Sequence, residues 1–174
     1  DIDQIVDWAE GAVQLIKRII LGNPDFHYRF GALDANTLSL IAPDGAFELY
    51  DGGLRARDAD GNTLLDHQDA RAYESLIQEE VKDWSYMKFP FLRPLGPEHG
   101  WYRVGPLARV NNCDRFATPL AEQERQDFAA AGEGRPLQAA LATHWARLIE
   151  LLHCAERIRE LLPDPGLQGT ELRR

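Results

Sequence analysis

One apolar stripe near the end of the chain has the period of an α-helix and constrains the fold more than any other feature. It begins after Pro136, where a helix start tolerates proline, and Pro163 marks its end. Its members recur every three or four residues: Leu137, Leu141, Trp145, Leu148, Leu152, Ala155, Ile158 and Leu162. The stripe predicts a helix over residues 136–162, about 39 Å in length.

Such a helix is long for a lone domain of 174 residues. Ile149 and Leu151 lie off the main stripe, so the apolar face is wide. Two interpretations stay open: a core helix buried on most sides, or a helix that also packs against protein outside this chain. Because large apolar patches rarely stay bare, the second interpretation predicts that the isolated chain self-associates.

The first half of the chain predicts one helix followed by short strands. Apolar residues recur with a helical period over residues 1–22, and Gly22 and Pro24 end the pattern. Residues 27–65 then read as β-rich. Thr37–Ile41 and Phe47–Tyr50 resemble strands, separated by the turn sequence Pro43–Gly45, and we expect a small antiparallel meander at about residues 36–65.

The middle of the chain is harder to assign. Asp69 can cap a helix, which we place at residues 69–82, and aromatic, proline and glycine residues make 84–118 an irregular segment. The tail after Pro165 is expected to be mobile. The resulting prediction is an α+β fold, with long packed helices and one small meander, in a single domain spanning residues 1–174.

Composition excludes several classes of function. The formal net charge is -9, which repels phosphate backbones and anionic lipid, so neither nucleic acid nor a membrane is an expected partner. No run of about 18 apolar residues is present, as a membrane-spanning helix would need. Cys113 and Cys154 lie far apart in sequence, which favours a reducing compartment.

No motif for catalysis or for metal and cofactor binding is present. The sequence lacks the CxxC, HxxxH, GxSxG, GxGxxG and GxxxxGK[ST] patterns. His153 and Cys154 are adjacent and would point about 100° apart on a helix. The five histidines occur singly and are expected to be surface or capping residues, and both cysteines are expected to be packed. We therefore predict no catalytic, cofactor-binding or metal-binding residue in this chain.

One cluster of charged residues stands in an apolar, glycine- and proline-containing context. It comprises the hexamer Val104, Gly105, Pro106, Leu107, Ala108 and Arg109, together with Arg103, Asp114 and Arg115. Guanidinium groups in such a context need acceptors, because an unpaired buried charge is costly. They form either an anion or carboxylate clamp around a buried site, or a structural ion network that ties a loop to a helix.

This hexamer resembles a signature of nickel–iron hydrogenase large subunits. Further blocks are similar to the NAD-reducing, bidirectional branch of that family: Ala42–Asp66, Trp84–Phe91, Cys113–Arg115 and His144–Glu150. The resemblance covers nearly the whole chain. It implies the middle segment of a larger subunit that lacks both of the family's CxxC pairs.

The resemblance implies a cytoplasmic parent enzyme that oxidises or evolves hydrogen at a nickel–iron centre. Electrons would reach NAD through the hydrogenase small subunit, and then through diaphorase-type iron–sulfur and flavin subunits. Because both CxxC pairs are missing, the chain itself would be a metal-free, inactive scaffold segment, with Arg103, Arg109 and Arg115 stabilising its frame. The alternative is a non-catalytic interaction or assembly domain related to the same subunits.

Overall fold

The computed structural model describes residues 1–169, which form an α+β fold. The helices in this part of the chain are α1 (Ile2–Gly22), α2 (Pro24–Arg29), α3 (Tyr73–Leu76), α4 (Gly96–His99), α5 (Pro106–Asn112), α6 (Pro119–Ala131) and α7 (Ala142–Leu161). The strands are β1 (Asn36–Ile41), β2 (Gly53–Arg57), β3 (Thr63–Asp69), β4 (Ile77–Val81), β5 (Lys88–Leu92) and β6 (Tyr102–Arg103). The fold class predicted from the sequence is confirmed.

Helices α1 and α7 run antiparallel and carry the main core between them. Arg159 on α7 lies 3.7 Å from Asp3 at the start of α1. At the other end, the Lys17 ammonium lies 6.0 Å above the ring of Trp145. The contacts are apolar in between, where Val13 of α1 and Leu152 of α7 are fully buried. Helix α6 packs on one side of this pair.

A four-stranded sheet with the order β3-β2-β1-β6 lies against α5. Strands β1, β2 and β3 form the antiparallel meander, and β6 adds to β1 in parallel. Asn112 is fully buried where α5 meets the sheet. Its amide donates to Ser39 Oγ and to the Arg55 carbonyl at 3.1 and 3.2 Å, and its carbonyl accepts from Thr37 Oγ1 at 2.8 Å. This buried polar network therefore fixes α5 against β1 and β2.

The expected helix over 69–82 is wrong. Asp69 does cap the next turn, but that turn is a 3-10 helix (Ala70–Ala72), and only the short helix α3 follows. Strand β4 then pairs with β5 in a separate antiparallel hairpin. The apolar positions in this stretch are too few to distinguish the period of a helix from that of a strand. The strand forms because residues 88–92 supply its backbone partners.

The irregular segment over 84–118 is wrong in part, since β5, α4, β6 and α5 all lie within it. Its prolines and glycines begin short elements instead of preventing them. Gly105 has a φ of 87°, a conformation open to glycine, and Pro106 occupies the first turn of α5.

Three smaller boundaries also differ from the expectations. Helix α2 (Pro24–Arg29) overlaps the first three residues of the β-rich region predicted over 27–65, and the second strand of the meander is β2 instead of Phe47–Tyr50. The long helix begins at Ala142, not at 136, because Leu137 uses its backbone elsewhere: its N–H donates to the Asn111 side chain and its carbonyl accepts from it. Of the tail, Pro165–Gln168 form a 3-10 turn, and residues 170–174 lie outside the described part.

Candidate functional site: the arginine cluster

Helix α5 presents the cluster to two sides of the fold. Leu107 and Ala108 point into the core and are buried, whereas Val104, just before the helix, is exposed. The helical period then turns Arg109 towards α7 and Asn112 towards the sheet. The apolar half of the VGPLAR hexamer therefore anchors the helix, and its arginine reaches a neighbouring element.

Arg109 forms a two-pronged ion pair with Glu150 of α7. Its Nε lies 2.6 Å from Oε1 and its Nη2 lies 2.8 Å from Oε2. Glu150 is buried. Parallel N–H···O bonds of this kind are among the stronger interactions of ionised side chains. The Arg109 guanidinium therefore supplies the positively charged partner that the buried Glu150 carboxylate requires.

The other two arginines end on different partners. Arg103 donates through Nη1 to the backbone carbonyl of Gln138 at 2.7 Å, and burial lowers the pKa of Arg103. Arg115 pairs with Asp44 at the surface, beside the turn between residues 42 and 46. The three guanidinium groups are thus not brought together around one pocket.

Asp114 is the centre of a second ion network, which the sequence reasoning missed in part. Its two carboxylate oxygens accept from Arg55 Nη1 at 2.9 Å and from Arg57 Nη2 at 2.8 Å. Arg55 also donates to Asp66 on β3 at 2.7 Å. Burial alone would raise the pKa of Asp114, but the hydrogen bonds from the two arginines outweigh it and lower the pKa.

A signal for this network was present in the sequence. Arg55 and Arg57 stand two residues apart, and alternate residues of a strand point to the same face of a sheet. Their partner Asp114 lies 57 residues from Arg57, and no local pattern could have identified it. The distribution of contacts supports the structural ion network, in which β2, β3, α5 and α7 are joined by charge.

The buried histidine and cysteines show no arrangement for chemistry. His153, expected at the surface or at a cap, is buried, with ring centroids 5.2 Å from both Phe47 and Phe116. Its Nδ1 lies 2.9 Å from Thr118 Oγ1, and burial lowers its pKa. Burial raises the pKa of the Cys113 thiol to about 12 and also raises that of Cys154. Burial therefore disfavours the reactive thiolate form of both residues.

Within residues 1–169, no group of three or more histidine, cysteine or acidic side chains is placed to hold a metal ion. An iron–sulfur cluster takes about four ligands, most often thiolates, and the chain has two cysteines. The absence of a cofactor from this chain stays a prediction.

No helix in the described part of the chain has the length and hydropathy to span a membrane.

Comparison with known proteins points to hydrogenases along nearly the whole chain. No family model matches. The chain is 38% identical to the beta subunit of the NAD-reducing hydrogenase HoxS of Cupriavidus necator, over 98% of this chain and 35% of that protein. It is 36% identical to the vhu A subunit of the F420-non-reducing hydrogenase of Methanococcus voltae, over 99% of this chain and 40% of that protein.

The fold agrees with a known structure. A crystal structure of NAD+-reducing [NiFe]-hydrogenase in the H2-reduced state contains a chain that superposes on this one with a TM-score of 0.92 and 47% sequence identity. The superposition covers 99% of this chain and 38% of the hydrogenase chain. The chain therefore spans between about a third and two-fifths of the length of these relatives.

The names of these relatives correct the large-subunit identification. They are a beta subunit and an A subunit, and a relative from Archaeoglobus profundus, 32% identical, is named as the iron–sulfur A subunit of its hydrogenase. None of these names is that of a large subunit. The prediction of a large-subunit fragment is therefore wrong, and so are its predicted scaffold function and the alternative of a related assembly domain. The comparisons show a coarser likeness: this chain is similar to the beta subunits and A subunits of hydrogenases.

Proposed function

We propose that the chain is one segment of a subunit in an NAD-linked, cytoplasmic hydrogenase complex. The observation that carries this proposal is the likeness to the NAD+-reducing [NiFe]-hydrogenase, which combines 47% identity with a TM-score of 0.92 over 99% of the chain. Because the sequences are 47% identical, the similarity supports a shared protein class as well as a shared fold. The similarity to the beta subunit of the NAD-reducing HoxS enzyme points the same way.

We infer that the segment itself binds no cofactor. Its charged cluster is engaged internally: Arg109 with Glu150, and Asp114 with Arg55 and Arg57. Such pairs hold elements together and leave little capacity to bind an anion. We infer that nickel, iron and NAD are bound by other parts of the complex, and that its iron–sulfur and flavin subunits are the segment's partners.

Elemental analysis of the longer polypeptide that contains this segment tests the proposal. The polypeptide is purified, with its co-expressed partner subunits, from a host that matures nickel–iron enzymes, and compared with the 174-residue chain from the same host. We expect nickel and iron in the complex and neither metal in the chain. A complex without nickel would overturn the hydrogenase proposal. Nickel bound at stoichiometric amount by the shorter chain would overturn the metal-free role of the segment.

A further inference from the structure

Helix α1 carries two apolar stripes, of which only one is used inside the described structure. The inner stripe packs on the core and comprises Val6, Ala9, Val13, Ile16 and Ile20. The outer stripe is displaced by one residue and comprises Ile5, Trp8, Ala12, Leu15 and Ile19. One residue corresponds to about 100° around a helix, so the outer stripe faces about a quarter turn away from α7.

Four of the five residues of the outer stripe are exposed, and only Ala12 is half-buried. Trp8 is 65% exposed and Leu15 is 53% exposed. The stripe repeats with steps of three and four residues over about 20 Å of helix. This spacing is the one by which a helix packs against another at a shallow crossing angle.

Helix α7 carries a matching exposed stripe. Leu151 and Ile158 are 50% and 49% exposed, and Leu162 directly after the helix is exposed as well. These positions are separated by seven and four residues, which corresponds to about two turns and one turn of a helix. The long helix is therefore buried on one side and apolar on a second, as the width of its sequence stripe indicated.

Both outer stripes lie on the same side of the α1–α7 pair. Helix α6 occupies the opposite side, where Gln14 and Lys17 of α1 contact Glu124 and where Glu156 of α7 accepts from the N–H groups of Leu120 and Ala121. On each of the two helices, the helical period places the outer stripe on the flank turned away from α6. Together the stripes form an exposed apolar surface that follows the seam between α1 and α7, here called the α1–α7 groove.

We propose that the α1–α7 groove is covered by an amphipathic helix from the remaining part of the same polypeptide. This inference rests on the proposed function in one respect, that the chain is a segment of a longer subunit. The segment spans 35% of the Cupriavidus relative and 38% of the similar crystal structure's chain, so a covering helix has ample sequence to come from. A helix on the same polypeptide also binds at a high effective concentration.

Charge argues against a second copy of this chain as the occupant. A symmetric pair would bring together two chains of net charge -9 each, and like charges oppose association. The same acidity disfavours an anionic lipid surface.

Thiol labelling of the full-length polypeptide tests the proposal. Leu15→Cys places a thiol in the groove, and Asp7→Cys places a control thiol on the polar face of the same helix, where Asp7 is exposed. The rate of reaction with a polar maleimide is corrected for the natural cysteines using the unsubstituted protein. We expect Leu15→Cys to react at least about tenfold more slowly than Asp7→Cys, because a covered site reacts only through local opening. Ile19→Cys repeats the test if Leu15→Cys folds poorly.

The outcomes assign the occupant. Equal rates for Leu15→Cys and Asp7→Cys in the full-length protein overturn the proposal. Protection that disappears when the polypeptide is separated from its partner subunits, or when it is diluted, assigns the groove to a partner or a second copy and also overturns it. Protection retained in the separated, monomeric polypeptide supports it. Labelling needs no hydrogenase activity, so a failed activity assay and a failed groove assay remain distinguishable.

Discussion

The buried carboxylate of Glu156 offers a sharp test of how α6 is held against α7. Glu156 is fully buried, and its two oxygens accept from the backbone N–H groups of Leu120 and Ala121 at 3.1 and 3.0 Å. These N–H groups belong to the first turn of α6, where they have no partner within the helix. A negative charge at that end also interacts favourably with the helix dipole.

The substitution Glu156→Gln keeps the shape and removes the charge. One amide oxygen still accepts from one N–H group, but the amide NH2 faces the other donor and leaves it unpaired. Loss of one charge-assisted hydrogen bond and burial of an unpaired donor together cost about 2–4 kcal/mol. We therefore expect the free energy of unfolding to fall by about that amount.

Urea unfolding followed by tryptophan fluorescence measures this change, with an unchanged slope as evidence that only stability has moved. Glu160→Gln is the matched control, since Glu160 lies one turn further along α7, is exposed and pairs with Arg157 at the surface. A surface change of this kind is expected to stay within about 0.5 kcal/mol. Equal stabilities of Glu156→Gln and Glu160→Gln would refute the capping role.

Further predictions concern the ion pairs and the thiols. Arg109→Met should lower the free energy of unfolding by about 3 kcal/mol, because it leaves Glu150 buried without its partner, whereas Arg115→Met at the surface should produce no measurable change in the urea midpoint. Cys113, whose pKa is raised to about 12 by burial, should react with a thiol reagent at pH 8 only after unfolding; a Cys154→Ser protein that reacts fully while folded would contradict this. Glu122 should contribute to acid stability: burial would raise its pKa, but hydrogen bonds from Arg125 and the Phe116 N–H lower it from 4.5 to about 2. The folded pKa lies below the unfolded one, so this contribution is present above pH 4.5 and is lost as the pH falls towards 2. Glu122→Gln should flatten the pH dependence of stability in that window, and an unchanged acid limb would contradict the assignment.

The sequence predicted the elements whose pattern is long. The stripe from Val6 to Ile20 and the stripe through Trp145 and Leu152 each extend over several turns, so the helical period could be recognised without the fold. The α+β class followed from these stripes together with the turn at Pro43–Gly45. The end of β3 at Asp69 and the start of α7 at Ala142 were missed, because pairing with distant residues sets them.

The short elements could not be predicted for the same reason. Residues 73–81 hold too few apolar positions to distinguish a helix from a strand, and the pairing of Ile77 with Leu92 decides it. The sequence of the arginine cluster indicates that its guanidinium groups need acceptors, but the identity of Glu150 as partner of Arg109 depends on the packing of α5 on α7. The sequence predicts His153 to be a surface or capping residue, whereas its aromatic neighbours Phe47 and Phe116 bury it.

The most direct test of the central claim is hydrogen-dependent reduction of NAD by the complex that contains this segment. The longer polypeptide carries an affinity tag, the complex is purified anaerobically, and NADH formation is followed by absorbance under hydrogen and under argon. We expect NADH to form under hydrogen alone, and the 174-residue chain to form none. A complex that binds its partner subunits but reduces neither NAD nor an artificial electron acceptor under hydrogen would contradict the claim that this chain is part of an NAD-linked hydrogenase.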